Sequence, residues 1–318
     1  MSATSTAGSA LRTEGLTKHY GDFPALVDLD LDVRRGEVFG FLGPNGAGKT
    51  TTIRTVMDEI RPTKGTATVL GLDSHRDSVE IRRHIGYLPS DLALYPNLTG
   101  RDTLTYFANL RGGVEWAHVG ALAERLDADL SKKVGDLSSG NRQKVGIIQA
   151  MMSRPELIIM DEPSTGLDPL VQRELQTMMR EEANQGHTVF LSSHTLSEVQ
   201  RVADRVGIIR SGRLIALETV SGLRTKATRR VELDLDAVAD PAVFLAVPGT
   251  GDVTVDGHRV ALTYAGRMDT LLAAVAVRYQ LLDLSTQEAD LEEIFLRFYR
   301  DEATDPTASS ATGTAATA

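Results

Sequence analysis

The sequence has no cysteine, so neither a disulfide framework nor a thiolate metal centre is available to it. It also lacks long apolar runs. Stretches such as residues 157–160 and 271–277 are the size of a strand or a short helix, well below the 18 or so apolar residues that a membrane span needs. Any role at a membrane therefore calls for another chain to supply the spans. Positive charge is in deficit, with 34 Lys and Arg against 43 Asp and Glu and a net charge of -9. A nucleic-acid-binding surface is usually basic, and no nucleic-acid partner is expected. Residues 1–10 contain neither a basic region nor an apolar segment, so no secretory leader is expected there. No internal repeat and no sustained heptad pattern is found.

What is present is ordinary for a globular chain of 318 residues, 42% hydrophobic and 24% charged. Residues 1–10 and 303–318 are rich in Ala, Ser, Thr and Gly and read as disordered tails. Residues 25–33 alternate apolar and acidic side chains, the pattern of a half-buried antiparallel strand. Residues 38–42, 157–160 and 189–192 are short aliphatic or β-branched runs separated by helical stretches, which predicts a parallel-sheet core. Residues 99–152 read as a helical insert. Composition shifts near residue 222. Beyond it, strands are expected at 231–235, 253–255 and 259–263, with helices at 268–277 and 291–299. The expected organisation is a main domain over 11–222 and a small α+β domain, plausible as ferredoxin-like, over 223–302.

One octapeptide carries the chemistry. Gly43-Pro44-Asn45-Gly46-Ala47-Gly48-Lys49-Thr50 fits the phosphate-binding loop G-x-x-x-x-G-K-[ST]. It lies between a strand-like run and the helix-like residues 51–57, as the motif requires. Its glycines let backbone N–H groups turn inward around a polyphosphate, and the helix that follows adds a positive dipole end at Thr51. Lys49 would reach the β- and γ-phosphates, and the Thr50 hydroxyl would bind Mg²⁺. Asp161 and Glu162 follow the aliphatic run 157–160. Alone they fit a solvated strand end. Behind a phosphate loop, Asp161 is read as a Mg²⁺ ligand and Glu162 as the group that polarises the attacking water.

Further motifs give a resemblance. Asp161-Glu162-Pro163-Ser164-Thr165-Gly166-Leu167-Asp168 resembles the joined Walker B and D-loop of ATP-binding cassette ATPases. Leu137-Ser138-Ser139-Gly140-Asn141 is similar to that family's LSGGQ signature, His194 to its switch histidine and Tyr20 to the aromatic that stacks on adenine. The likeness spans residues 11–222. It implies an α/β fold, with a RecA-like core, an antiparallel β subdomain and a helical subdomain, that hydrolyses MgATP in a head-to-tail dimer. Ser138, Ser139, Gly140, Asn141 and Asp168 would then meet the γ-phosphate bound by the other subunit. Taken singly, Ser139 and Gly140 also fit a helix cap ahead of a helix beginning near Asn141, His194 a surface histidine, and Tyr20 simple packing.

The sequence departs from the family at the Q-loop, where Ser90 replaces glutamine. Ser90 would reach Mg²⁺ only through a water. Asp91 is an alternative oxygen donor, and a loop that touches no metal is another. Among cassette ATPases the chain resembles the ATP-binding subunits of drug and antibiotic exporters, through residues 85–100, the small C-terminal domain and residues 291–296. That likeness implies a separate integral-membrane permease, a homodimer or paired ATP-binding subunit, and a peripheral place on the cytoplasmic face of the membrane. The alternatives are an importer subunit or a soluble ATPase of translation or DNA maintenance. Tyr87, Leu92, Leu94, Tyr95 and Leu98 are expected either to receive the permease or to pack internally. Ile294, Phe295 and Phe298 would give the C-terminal domain, which carries no phosphate loop, either an apolar contact face or a core-facing helix.

Overall fold

The computed structural model describes residues 8–226 and 229–287. The chain divides after Glu218 into two compact units. The first opens with β1 (Ser9–Tyr20) and β2 (Phe23–Arg34), an antiparallel pair. Leu29, Leu31 and Val33 are buried on one face of β2 while the intervening Asp30 is exposed, which is the burial that alternation dictates. Next come β3 (Val38–Leu42), the phosphate loop, α1 (Lys49–Val56), β4 (Lys64–Val69), β5 (Leu72–Asp73), α2 (Ser78–His84) and β6 (Ile85–Leu88). A helical stretch follows, with α3 (Gly100–Leu110), α4 (Trp116–Arg125), a 3-10 turn at Val134–Asp136 and α5 (Ser139–Met151). The unit closes with β7 (Leu157–Asp161), α6 (Pro169–Asn184), β8 (Thr188–Ser193), α7 (Leu196–Val202), β9 (Arg205–Arg210) and β10 (Arg213–Thr219).

Two sheets result. One is antiparallel, in the order β2-β1-β4-β5, and the other runs β10-β9-β3-β8-β7-β6. In the second, β3 is parallel to β8 and β9, and β7 is parallel to β8 and β6. All residues of β3, β7 and β8 are buried, as expected where a parallel sheet is covered on both faces. Helix α1 packs against β2, β4 and β7, so it lies between the sheets. Its Ile53 and Val56 join Leu26, Leu31, Phe41 and Ile159 in one apolar cluster. The carboxyl ends of β3, β6, β7 and β8 share one edge, the edge at which open α/β sheets gather ligands.

Two expectations are corrected. Two of the expected tail residues, Ser9 and Ala10, are not tail: Ser9 pairs with Arg34 in the sheet and Ala10 is fully buried, because the hairpin extends its ladder to Ser9. Helix α5 begins at Ser139 with Ser138 as its cap, not near Asn141. The Ser138 hydroxyl takes the capping position, which moves Ser139 and Gly140 into the first turn.

The second unit contains α8 (Val220–Lys226), β11 (Arg229–Leu235), α9 (Pro241–Leu245), β12 (Thr250–Asp256), β13 (Arg259–Tyr264), α10 (Met268–Ala276) and β14 (Leu281–Gln287). From β11 onward this is βαββαβ, and the antiparallel sheet order β12-β13-β11-β14 is that of a ferredoxin-like fold. Val231, Leu233, Leu262, Phe244, Leu271 and Val275 form its core. The expected helix at 291–299, with Ile294, Phe295 and Phe298, and the tail at 303–318 lie outside the described residues.

Candidate functional site

The phosphate loop is held from several directions. Gly43 N–H donates to Ser193 O at 3.3 Å, Ala47 N–H to Pro44 O at 3.1 Å, and Gly212 N–H to Ala47 O at 2.9 Å. Two glycines are required, Gly43 by space and Gly48 by space and conformation. A Cβ on Gly43 would stand 2.4 Å from Ile209 O, and Gly48 has φ +112° with room for a Cβ only 2.9 Å from Ala25 O. Lys49 opens α1 with its side chain buried. Its Nζ donates to Gly43 O at 2.7 Å and Pro44 O at 3.2 Å, and lies 3.2 Å from Glu162 Oε1.

The acidic end of β7 meets this loop because β8 lies between β3 and β7. Asp161 is fully buried. One of its oxygens accepts from Thr50 Oγ1 at 2.8 Å, and the other accepts a short hydrogen bond from Ser192 Oγ. Glu162 then turns the chain with φ 53°, in the left-handed region that a side-chain-bearing residue seldom adopts. Its N–H donates to Ser192 O at 3.2 Å, and its Oε2 accepts from His194 Nδ1 at 2.7 Å. Oε1 is buried without an aligned hydrogen-bond donor, although the Lys49 ammonium is close. The ion pair with Lys49 at 3.2 Å is therefore the only polar contact of this oxygen among the described residues.

Pro44, Asn45, Gly46, Gly48, Lys49, Thr50, Thr51, Ser90 and Glu162 line a cavity of ≈ 370 Å³ together with Tyr20, Phe23 and Ala25. Tyr20 is about half exposed, and Lys18 Nζ sits over its ring at 5.1 Å from the centroid. Hard oxygen donors suit Mg²⁺, and the Thr50 hydroxyl and Asp161 carboxylate are such a set, with Ser90 on the same cavity wall.

The signature residues lie elsewhere. Ser138, Ser139, Gly140 and Asn141 line a second hollow of ≈ 660 Å³ with Gly166, Leu167 and Asp168. It shares no residue with the phosphate-loop cavity. Asp168 caps α6 by accepting from Leu170 N at 3.0 Å and Val171 N at 3.1 Å; the Val171 N–H, then the Leu170 N–H, hold its carboxyl below the usual range. Asn141 is turned to the main chain of Asp129, accepting from its N–H at 3.1 Å and donating to its carbonyl at 2.8 Å.

Two residues of the cavity region were not singled out by their sequence. Ser192 is a polar residue at the carboxyl end of a core strand, in register with Asp161, and strand order is needed to see it. Phe23 is 63% exposed, a rare condition for phenylalanine, and that exposure is the signal. Of the five residues expected to receive a permease, Tyr87, Leu92 and Leu94 line a third hollow with Phe107 and Arg111. Burial pushes the Tyr87 hydroxyl pKa up and the Arg111 guanidinium pKa down. Tyr95 instead packs edge-on against Tyr106, with centroids 5.6 Å apart. Leu98 presents its carbonyl to Val134 N–H.

A family profile described as "ABC transporter" matches residues 26–165. The bacitracin transport ATP-binding protein of Bacillus licheniformis is 32% identical over 299 residues, 90% of this chain and 96% of that one. The daunorubicin resistance ATP-binding protein of Streptomyces coeruleorubidus is 35% identical over 308 residues, 93% and 98% of the two chains. Among solved structures, an ATP-binding subunit of an ABC transporter superposes with a TM-score of 0.63 at 32% identity, covering 68% of this chain and 92% of that one. A bacterial ABC transporter cassette solved as a dimer has a TM-score of 0.62 at 22% identity, covering 66% and 98%, and bears on the fold alone.

Proposed function

This chain belongs to the ABC transporter family of ATP-binding proteins and is an ATP-hydrolysing motor subunit, and from that premise we propose that two cassettes pair head to tail and drive export through a separate permease. The observation that carries this reading is the separation of the two hollows. The phosphate loop, Lys49 and Glu162 line one, while Ser139, Gly140 and Asp168 line another with no residue in common. Each is half of an ATP site, and a second copy of the chain, turned through a two-fold axis, completes both at once.

In the completed site the phosphate-loop N–H groups and Lys49 hold the β- and γ-phosphates. Thr50 and Asp161 would hold Mg²⁺, with Ser90 reaching it through a water; the ion would neutralise charge on the phosphates. Glu162 accepts a proton from the attacking water as its oxygen bonds to the γ-phosphorus and the bond to ADP breaks. His194, hydrogen-bonded to Glu162 Oε2, fixes the carboxylate for that step and would itself contact the γ-phosphate. Tyr20 stacks on the base. The start of α5, with Ser139 and Gly140 in its first turn, turns free N–H groups and a positive dipole end toward the partner's γ-phosphate.

The hollow at Tyr87, Leu92 and Leu94 is the docking place for the permease, and the chain is held through it at the cytoplasmic face of the membrane. No helix among the described residues is long and apolar enough to cross a membrane. The names of the relatives support drugs or antibiotics as cargo, which the permease selects.

Complementation between two disabled variants tests the pairing. Lys49→Ala removes one half-site and Gly140→Asp the other. Mixed, they form dimers with one intact composite site, and part of the wild-type ATPase rate should return, although each variant alone is inactive. A mixture as inactive as its components contradicts pairing of this chain with itself.

A further inference from the structure

We infer that Phe23 is a second wall of the base site, acting with Tyr20 to hold the nucleobase by ring face; this rests on the reading that Tyr20 stacks on the base. The two residues are the last cross-strand pair of the β1–β2 hairpin, closed by Gly21 and Asp22. Directly opposed residues of an antiparallel pair point to the same face of the sheet, and both rings line the phosphate-loop cavity. Phe23 is 63% exposed and Tyr20 47%. Two large rings left open on one hairpin tip are unfavourable in water unless something apolar covers them. Lys18, anchored by its hydrogen bond to Arg61 O at 2.7 Å, already covers one face of the Tyr20 ring, so only the opposite face is available to a base. Phe23 stands on the far side of the turn and adds a second aromatic surface, so the base enters a corner rather than lying on a single plate.

Recognition of this kind reads ring area and not the hydrogen-bonding edge, since every base has a π-face. ATP and GTP should therefore depend on Phe23 alike, and inorganic tripolyphosphate, which has the phosphates and no base, should not depend on it.

The test is equilibrium binding of ATP, GTP and tripolyphosphate to the full chain and to Phe23→Ala, Tyr20→Ala and Phe23→Trp. Phe23→Ala should bind ATP and GTP about five- to 150-fold more weakly, the range of one base–aromatic stack, with tripolyphosphate within about two-fold of wild type on the same scale. Phe23→Trp should bind ATP and change its fluorescence on adding ATP but not on adding tripolyphosphate, against the constant signal of the single natural tryptophan, Trp116. Equal losses for ATP and tripolyphosphate in Phe23→Ala would mean that the ring only supports the loop, and would overturn the inference. If Tyr20→Ala weakens ATP selectively and Phe23→Ala does not, the base lies on Tyr20 alone and the inference fails while the Tyr20 reading stands. If neither variant separates ATP from tripolyphosphate, the base is not on this hairpin and both fail.

Discussion

Glu162 illustrates how much of the site rests on single residues. Its φ of 53° is a conformation that costs a side-chain-bearing residue free energy. It is held by Ser192 on its N–H and His194 on its carboxylate. Gly48 shows the complementary case, where a side chain is excluded. Its φ of +112° and the 2.9 Å from a would-be Cβ to Ala25 O predict that Gly48→Ala shifts the phosphate loop. ATP affinity should fall about ten-fold or more, from strain on the order of 1–3 kcal/mol, while the melting temperature moves little; calorimetric titration and a thermal melt check both. The loop residues were legible in the sequence because their constraints act within eight consecutive positions. Ser192 was not, because it meets Asp161 across 31 residues and only the strand order places it. Asn141 resembled a ligand by position, yet the short amide reaches the Asp129 main chain first.

At the scale of elements, the start of α5 decides the signature's geometry. Ser138 accepts from Asn141 N–H at 3.2 Å and so fixes which turn carries Ser139 and Gly140. Ser138→Ala should cost about 1 kcal/mol of stability, seen as a lower unfolding midpoint in urea, and should reduce ATPase rate more than ATP binding. The segment after β6 carries the other element-scale prediction. Leu94 lines the hollow with Tyr87 and Phe107, whereas Tyr95 is spent on Tyr106. Leu94→Asp should therefore weaken co-purification with membranes more than Tyr95→Asp, with both variants still binding ATP. The core strands, and β11, β12, β13 and α10 of the second unit, were legible because periodicity reports burial, whereas the five-residue α9 and the strand β14 were not read. The start of β1 and the start of α5 were not, because small residues such as Ser9, Ala10 and Ser139 carry little pattern of their own and take their structure from pairing or capping.

At the scale of the whole molecule, the proposed function makes one chain half of a machine. The phosphate-loop cavity holds Lys49, Thr50 and Glu162, with buried Asp161 behind Thr50, and the separate hollow holds Ser139 and Gly140; the proposed second copy would complete each half-site, and the proposed permease would cross the bilayer, which no described helix can. All of it depends on Glu162 activating water over bound ATP. The most direct measurement is the ATPase rate of Glu162→Gln with ATP binding measured on the same sample. A positioning and general-base role is worth about 10²–10⁴-fold, and the amide keeps the size while losing the basic oxygen. The account predicts ATP bound as tightly as by wild type and hydrolysis reduced by that factor; bound ATP hydrolysed at the wild-type rate contradicts it.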